Sequence, residues 1–249
     1  MKHSVPSDIS AENIFIPTEN LQSQKNLNLI HDWTKRQDMK INPDKTKYMV
    51  INFCTSLKYQ TRLYIENSLL EQIKQTKLLG VVLCDDMTWH ENTKFITYKA
   101  YKRMIILRKL CEFKVSKKDL IQIYILYIRS VLEQSCVLWA SSITEQEKVN
   151  IERIQKVALR IILQEKYNSY KDALEQTKLP NLEERRENLM LNFARKCVQN
   201  PSTSHMFPLN PPKNIRQHEK YKVPHAYTER YKNSAIPAMT RLLNKYANN

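Results

Sequence analysis

Three groups of residues in this 249-residue chain have types and spacings that could do chemistry. The first lies in KINPDKTKYMVINF (residues 40–53). Asn42-Pro43-Asp44 is turn chemistry, since proline presets φ and Asn and Asp bond their own backbone. Lys45 and Lys47 flank Thr46 where that turn feeds an apolar run from Tyr48 to Phe53, which reads as a strand. Lysines at a rigid loop-to-strand junction are placed to meet phosphate, although two solvated loop charges give the same pattern, and locally that plainer reading is favoured. The second group is Cys84-Asp85-Asp86, an aspartate pair after an apolar segment, as in polymerase sites where two carboxylates hold divalent ions. Such chemistry needs a further carboxylate on a neighbouring strand, and only Glu66 and Glu71 are offered. We read the pair instead as a cap for a helix starting near Trp89.

The third group is basic. Between Lys94 and Lys118 there are nine Lys or Arg residues and one acid, Glu112. On a helix, Lys99, Lys102 and Lys109 fall within an arc of roughly 80°, away from the apolar stripe Ile96, Ala100, Met104, Leu107 and Cys111. Arg153, Lys156 and Arg160 repeat the arrangement further on. A solvated face is the plain reading. So few acids leave like charges uncompensated along the helix, which favours contact with a phosphate backbone. Tyr98, Tyr101 and Tyr124 offer rings for stacking, with core packing the commoner fate of each.

The whole composition points the same way. There are 40 Lys and Arg against 25 Asp and Glu, a formal net charge of +15. That balance suits a polyanion, with nucleic acid ahead of an acidic membrane surface. No apolar run is long enough for a membrane span and no signal peptide is discernible, so an intracellular location, nucleus or cytoplasm, is expected. Five cysteines without a C-x-x-C pair read as reduced core residues. A single glycine, Gly80, stands where about 17 would be average. Glycine-rich phosphate loops are thereby excluded, and much helix is expected. Gly80 itself falls inside an apolar segment, KLLGVVLC (77–84), where it marks either a close backbone approach or plain packing against a helix. His205, His218 and His225 match no zinc spacing, and no nucleophile elbow or H-E-x-x-H motif is present.

The elements that must position these groups give an α+β fold, mostly α. One amphipathic helix spans about 20–37, with Leu21, Leu27, Ile30 and Trp33 on its apolar face. Short apolar segments at 62–66, 69–73 and 77–84 suggest a small antiparallel sheet. Helices follow at about 90–111, 117–139, 145–164, 170–177 and 182–198. Their starts are marked by Ser116-x-x-Asp119, Thr144-x-x-Glu147, Ser169-x-x-Asp172 and Asn181-x-x-Glu184. The second is apolar nearly all round and should be central. The proline-rich stretch after Asn200 reads as a linker before a last helix at about 236–246.

In order, LIHDWTKRQDMKINPDKTKYMVINF (29–53), KLLGVVLCDDMTWHEN (77–92), ITYKAYKRMIILRKL (96–110), LIQIYILYIRSVLEQSCVLWAS (120–141), IERIQKVALRII (151–162) and ERYKNSAIPAMTRLLN (229–244) resemble the C-terminal part of reverse transcriptases of non-LTR retrotransposons, LINE-like elements of the jockey and CR1 kind. Polar, aperiodic residues 1–18 read as a disordered lead-in and 200–249 as a proline-rich linker and irregular tail with a last helix; the resemblance implies between them a partial palm with a small antiparallel sheet and one helix (19–88) and a helical thumb-like bundle (89–199). It implies that Asn42, Lys45 and Thr46 match a palm motif beside the incoming nucleotide's phosphates. Leu79 and Gly80 match the hairpin that grips the primer, and the helices from about 92 match a thumb that tracks a template-primer duplex of RNA or DNA. Asp85-Asp86 then falls after the primer grip and is not the catalytic pair. The family's catalytic aspartates and its Mg2+ would lie on strands before residue 1. The expectation is thus a truncated RNA-directed DNA polymerase fragment with no catalytic residue and no bound cofactor, binding nucleic acid through its basic helices. The alternative is a non-catalytic helical module docking an acidic partner.

Overall fold

The computed structural model describes residues 20–51, 62–211 and 219–247. They form two compact units, Met1–Thr88 and Trp89–Asn249. The first is built on helix α1 (Asn20–Arg36). Leu27 and Ile30 pack against Ile41, Ile65 and Leu70, a small core that also gathers Tyr48 and Leu63. Trp33 and Leu29 lie exposed instead. Trp33 was expected on the apolar face, but this core is only wide enough for the stripe through Leu27 and Ile30.

Six short strands follow: β1 (Lys47–Tyr48), β2 (Tyr64–Ile65), β3 (Ser68–Leu69), β4 (Glu71–Gln72), β5 (Gln75–Leu78) and β6 (Val81–Cys84). They pair two by two: β2 with β3 and β5 with β6 antiparallel, β1 with β4 parallel. Of the described part of the apolar run only Tyr48 enters a ladder, together with the preceding Lys47, and Asn52 and Phe53 lie outside the described residues. The side-chain amide of Gln24 on α1 imitates a further strand. Its Nε2 donates to Tyr64 O at 2.8 Å while its Oε1 accepts from Tyr64 N at 2.9 Å.

The second unit is helical: α2 (His90–Glu112), α3 (Lys117–Ile123), a π-helical stretch (Tyr124–Arg129), α4 (Ser130–Glu133), α5 (Cys136–Trp139), α6 (Glu145–Leu163), α7 (Tyr170–Thr177), α8 (Leu182–Gln199), α9 (Glu229–Lys232) and α10 (Ala235–Ala247). The four cap signals hold. Ser116, Thr144, Ser169 and Asn181 each accept from the backbone N–H three residues on, and Thr144 with Glu147 completes a reciprocal capping box. The segment 117–139 is central, as Tyr124, Ile128, Leu132 and Trp139 are all fully buried, but it is not one continuous helix. It widens into the π-helical stretch, then breaks at Gln134-Ser135, where Ser135 turns left-handed at φ 51°. A π turn displaces carbonyls from the α ladder, and the Tyr127 carbonyl is taken up by the guanidinium of Arg103 on α2.

The main core joins α2, α3, the π stretch and α6 through Ile96, Ala100, Met104, Leu107, Ile151, Ile154 and Ala158. A second cluster is formed where α10 lies on α8, with Met190, Ala194, Met239 and Leu243 buried beside Phe207 and Tyr221. Asn244 clamps Tyr221 there through two 2.8 Å bonds, its Oδ1 accepting from Tyr221 N and its Nδ2 donating to Tyr221 O. Among the described residues after Asn200, Phe207, Tyr221 and α10 thus pack with α8.

Candidate nucleic-acid interface

In the first unit the turn is closed by its own side chains. Asn42 Oδ1 accepts from the backbone N–H of Asp44 at 2.9 Å and of Lys45 at 3.3 Å. The Thr46 hydroxyl and backbone N–H both donate to Asn42 O, at 2.8 and 3.1 Å. Asn42 and Thr46 therefore shape the loop, and Lys45 projects exposed from it. Lys47 is committed elsewhere: its Nζ reaches Glu71 at 2.6 Å across the β1–β4 pair.

Gly80 does not lie within a strand. Leu79 and Gly80 are the two central residues of the β5–β6 hairpin, closed by Leu78 opposite Val81. Both have positive φ, 48° and 87°, the requirement of a type I′ turn whose twist matches its strands. Glycine accepts that geometry freely, whereas Leu79 pays a Cβ penalty with its side chain 82% exposed.

The aspartate pair does not cap α2. Asp86 Oδ1 accepts from the backbone N–H and the hydroxyl of Thr88, both at 2.9 Å, while Asp85 N donates to Lys74 O. A local Asx turn is the nearer partner, so the helix begins at His90 with Trp89 as an N-cap that supplies no side-chain bond. Among the described residues no group of three or more His, Cys, Asp or Glu side chains could hold a metal ion. The donor set here does not fit a two-metal centre.

The basic faces are fixed by the helix pair beneath them. Glu147, 8% exposed at the start of α6, accepts from Thr93 Oγ1 at 2.6 Å, pairs with His90 Nδ1 at 2.7 Å and accepts from Thr144 N at 2.8 Å. Burial pushes its carboxyl up, but the bonds from Thr93, His90 and Thr144 outweigh that and hold it at about 2. The start of α2 is thereby pinned to the start of α6.

On the outer face of α2, Lys102 Nζ lies 4.5 Å from the centre of the Tyr98 ring and Lys99 Nζ 5.8 Å from that of Phe95. Tyr98 is 60% exposed, with Tyr101, Ile105 and Ile106 also open to solvent. Lys109 is partly neutralised by Glu112 at 3.0 Å. Arg103 is structural, its guanidinium stacked 4.2 Å over Tyr127. On α6, Arg153 is exposed, Lys156 sits 5.0 Å over Tyr170, and Arg160 5.2 Å over Tyr167. Tyr167 and Tyr170, not singled out in the sequence, are the aromatic partners of that face. They precede or open α7, and only the turn after α6 brings them back under its cations. Lys99, Lys102, Arg153, Lys156 and Arg160 form no ion pair with a carboxylate of a described residue. Tyr124 cannot stack on a base. It is fully buried, and its hydroxyl donates to Gln155 Oε1 at 2.5 Å.

The fold and these faces define a basic, mostly helical α+β protein whose outward cations lie beside aromatic rings. The chain is similar to the probable RNA-directed DNA polymerase from transposon BS of Drosophila melanogaster, with 35% identity over 95 residues. The match takes in 36% of this chain and 10% of that protein, so the chain spans about a tenth of its curated relative. Ninety-five residues of the chain thus resemble a stretch of a transposon RNA-directed DNA polymerase. No protein-family model matches the chain, and no solved structure matches it. Among the described residues, no helix is long and apolar enough to cross a membrane.

Proposed function

We propose that this chain is a fragment related to the reverse transcriptases of non-LTR retrotransposons, and that it binds a template-primer-like duplex of RNA or DNA through α2 and α6. The observation that carries the reading is the set of five cations, Lys99, Lys102, Arg153, Lys156 and Arg160, that lack carboxylate partners among the described residues, all but Arg153 lying beside an exposed or half-buried ring. Cations left uncompensated on two helices bind phosphate with release of counterions, and rings beside them add stacking without sequence choice. The similarity to a transposon polymerase supports the same partner class. In this reading Lys45, set by the Asn42–Thr46 turn, is a phosphate-facing lysine, and the Leu79-Gly80 hairpin touches the primer strand. Nucleotidyl transfer lies outside this reading, since among the described residues neither Asp85 nor Asp86 belongs to a carboxylate group that could hold a metal ion.

The test is a salt titration of binding to a template-primer duplex. Affinity should fall linearly with log salt, and Lys99→Glu with Lys102→Glu should flatten the slope by about 2 units. Binding that is absent, or indifferent to salt, overturns the reading. Displacement by heparin but not by structured nucleic acid would show an acidic protein partner instead. A primer-extension assay with magnesium or manganese checks the catalytic half, and template-dependent synthesis by the chain alone would refute it.

A further inference from the structure

A cavity of about 270 Å³ opens where α10 crosses α8, reached from α6 by Lys148 at its first turn. Arg186 on α8 and Arg241 on α10 line it, with Ser141 from the turn after α5. Four cationic side chains border the space, Arg186, Arg241, Lys148 and Lys245, against two carboxylates, Glu183 and Glu187. Both carboxylates are already engaged, Glu183 by Lys148 at 3.1 Å and Glu187 by Lys245 at 2.8 Å.

Arg186 is the exceptional member. It is only 3% exposed, yet it forms no ion pair with a described residue, and its buried Nη1 has no hydrogen-bond acceptor. The buried Ser141 hydroxyl is likewise unsatisfied. A buried guanidinium with carboxylates near it but none paired to it is unfavourable, because desolvation is not fully repaid. Arg186 and Ser141 both line the cavity and each has an unsatisfied polar atom buried in its wall, which indicates an absent acceptor, and a guanidinium fork is shaped for the oxygens of a phosphate. Neighbouring acids do not supply the acceptor: Glu133 is taken by Arg129 and Arg185, and Glu152 by Tyr170 and Leu182 N.

We propose that this cavity is an anion site that takes a phosphate group, held by Arg186, Arg241 and Ser141. The ligand is either free phosphate or the terminal phosphate of an oligonucleotide, which share that chemistry. Its three proposed holders lie outside α2 and α6, and the site stands independently of the duplex assignment.

The experiment is calorimetry and thermal melting of the full chain with inorganic phosphate, against chloride at matched ionic strength. Saturable binding with a rise in melting temperature is expected, and Arg186→Met should weaken it at least tenfold. Without phosphate that variant should melt at or above the wild type, since an apolar chain replaces an unpaired buried cation; in saturating phosphate the order reverses. Arg241→Gln, at the half-exposed side, serves as the second variant and should weaken phosphate at least threefold. A short oligonucleotide bearing a 5′-phosphate, compared with its 5′-hydroxyl form, separates the two sources: preference for the phosphorylated end, lost in the Arg186 variant, assigns the terminal group, and equal binding assigns the free ion. No phosphate binding beyond chloride, or wild-type affinity in both variants, overturns the site.

Discussion

The hydroxyl of Thr93 on α2 lies 2.6 Å from the carboxylate of Glu147 on α6, 54 residues away in sequence. This bond makes a local helix cap into a tertiary one. Glu147 was legible as the third residue of a capping box with Thr144, and it is that, but its second oxygen serves a different helix. The basic faces of α2 and α6 are thus anchored at one common point.

Acid should dissolve that anchor. Since the folded state holds the Glu147 carboxyl at about 2, below the ordinary value of 4.5, its contribution is complete above about pH 4.5 and fades as pH falls toward 2. Glu147→Gln should cost about 1–3 kcal/mol at neutral pH, because Thr93, His90 and Thr144 lose a charged acceptor. Urea melts across pH 2–7 check both parts: the gap between wild type and variant must close in acid, and a constant gap would contradict the assignment.

The hairpin tip gives an opposite pair of effects. Gly80→Ala places a Cβ at φ 87° and should destabilise the first unit by about 1 kcal/mol, whereas Leu79→Asn, better suited to φ 48°, should stabilise it by a few tenths to about 1 kcal/mol. Chemical denaturation reads the stability. Duplex binding read alongside it separates that effect from any contact made by the exposed leucine: a loss of affinity in a more stable Leu79→Asn protein would show that the chain keeps a costly leucine there for binding.

Beneath α6 a polar network replaces part of the hydrocarbon core. Gln155, fully buried, accepts from Tyr124 and donates to Tyr170 at 3.0 Å and to Pro180 O at 2.9 Å. Burial and the Glu152 carboxylate it touches push the Tyr170 phenol up, so it stays a donor. Tyr124→Phe should cost about 1–3 kcal/mol by stranding Gln155 Oε1, and Gln155→Leu should cost at least as much. In the double variant the losses should fall short of their sum, as each single change already breaks the shared bond. Additive losses in a double-mutant cycle would show that the two residues act separately.

How much of this was readable in advance follows from the range of the forces involved. Caps and helix starts depend on residues three apart, so Ser116, Thr144, Ser169 and Asn181 announced α3, α6, α7 and α8. The π stretch and the break at Ser135 were not visible, because the apolar pattern of 117–139 is continuous and the widening is settled by Arg103 on another helix. Gly80 was visible as an exception but not as a turn, since the apolar run continues through it and only the β5–β6 register separates its two halves. Asp86 was assigned to a helix cap that lay three residues too far, and Thr88 took it first. On α2, Lys102 and Lys109 lie exposed and Lys99 half-exposed, while Tyr167 and Tyr170 carry no signal in the sequence, because their approach to Lys156 and Arg160 depends on the chain reversing after α6.

The lysines of α2 are not equivalent. Lys99 and Lys102 rest over rings and meet no carboxylate among the described residues, whereas Lys109 already holds Glu112 at 3.0 Å. A cation that must leave an acid to reach a phosphate gains less by doing so, even though exposed pairs of this kind are weak, about 0.3–0.5 kcal/mol. Lys102→Glu should therefore lower duplex affinity more than Lys109→Glu, and Glu112→Gln should raise it by freeing Lys109. Tyr98→Ala should weaken binding with little change in the salt slope, because a ring contributes stacking and no counterion release. Fluorescence anisotropy at several salt concentrations measures all four. Equal losses at Lys102 and Lys109, with no gain from Glu112→Gln, would mean that the phosphate path does not follow this face of α2.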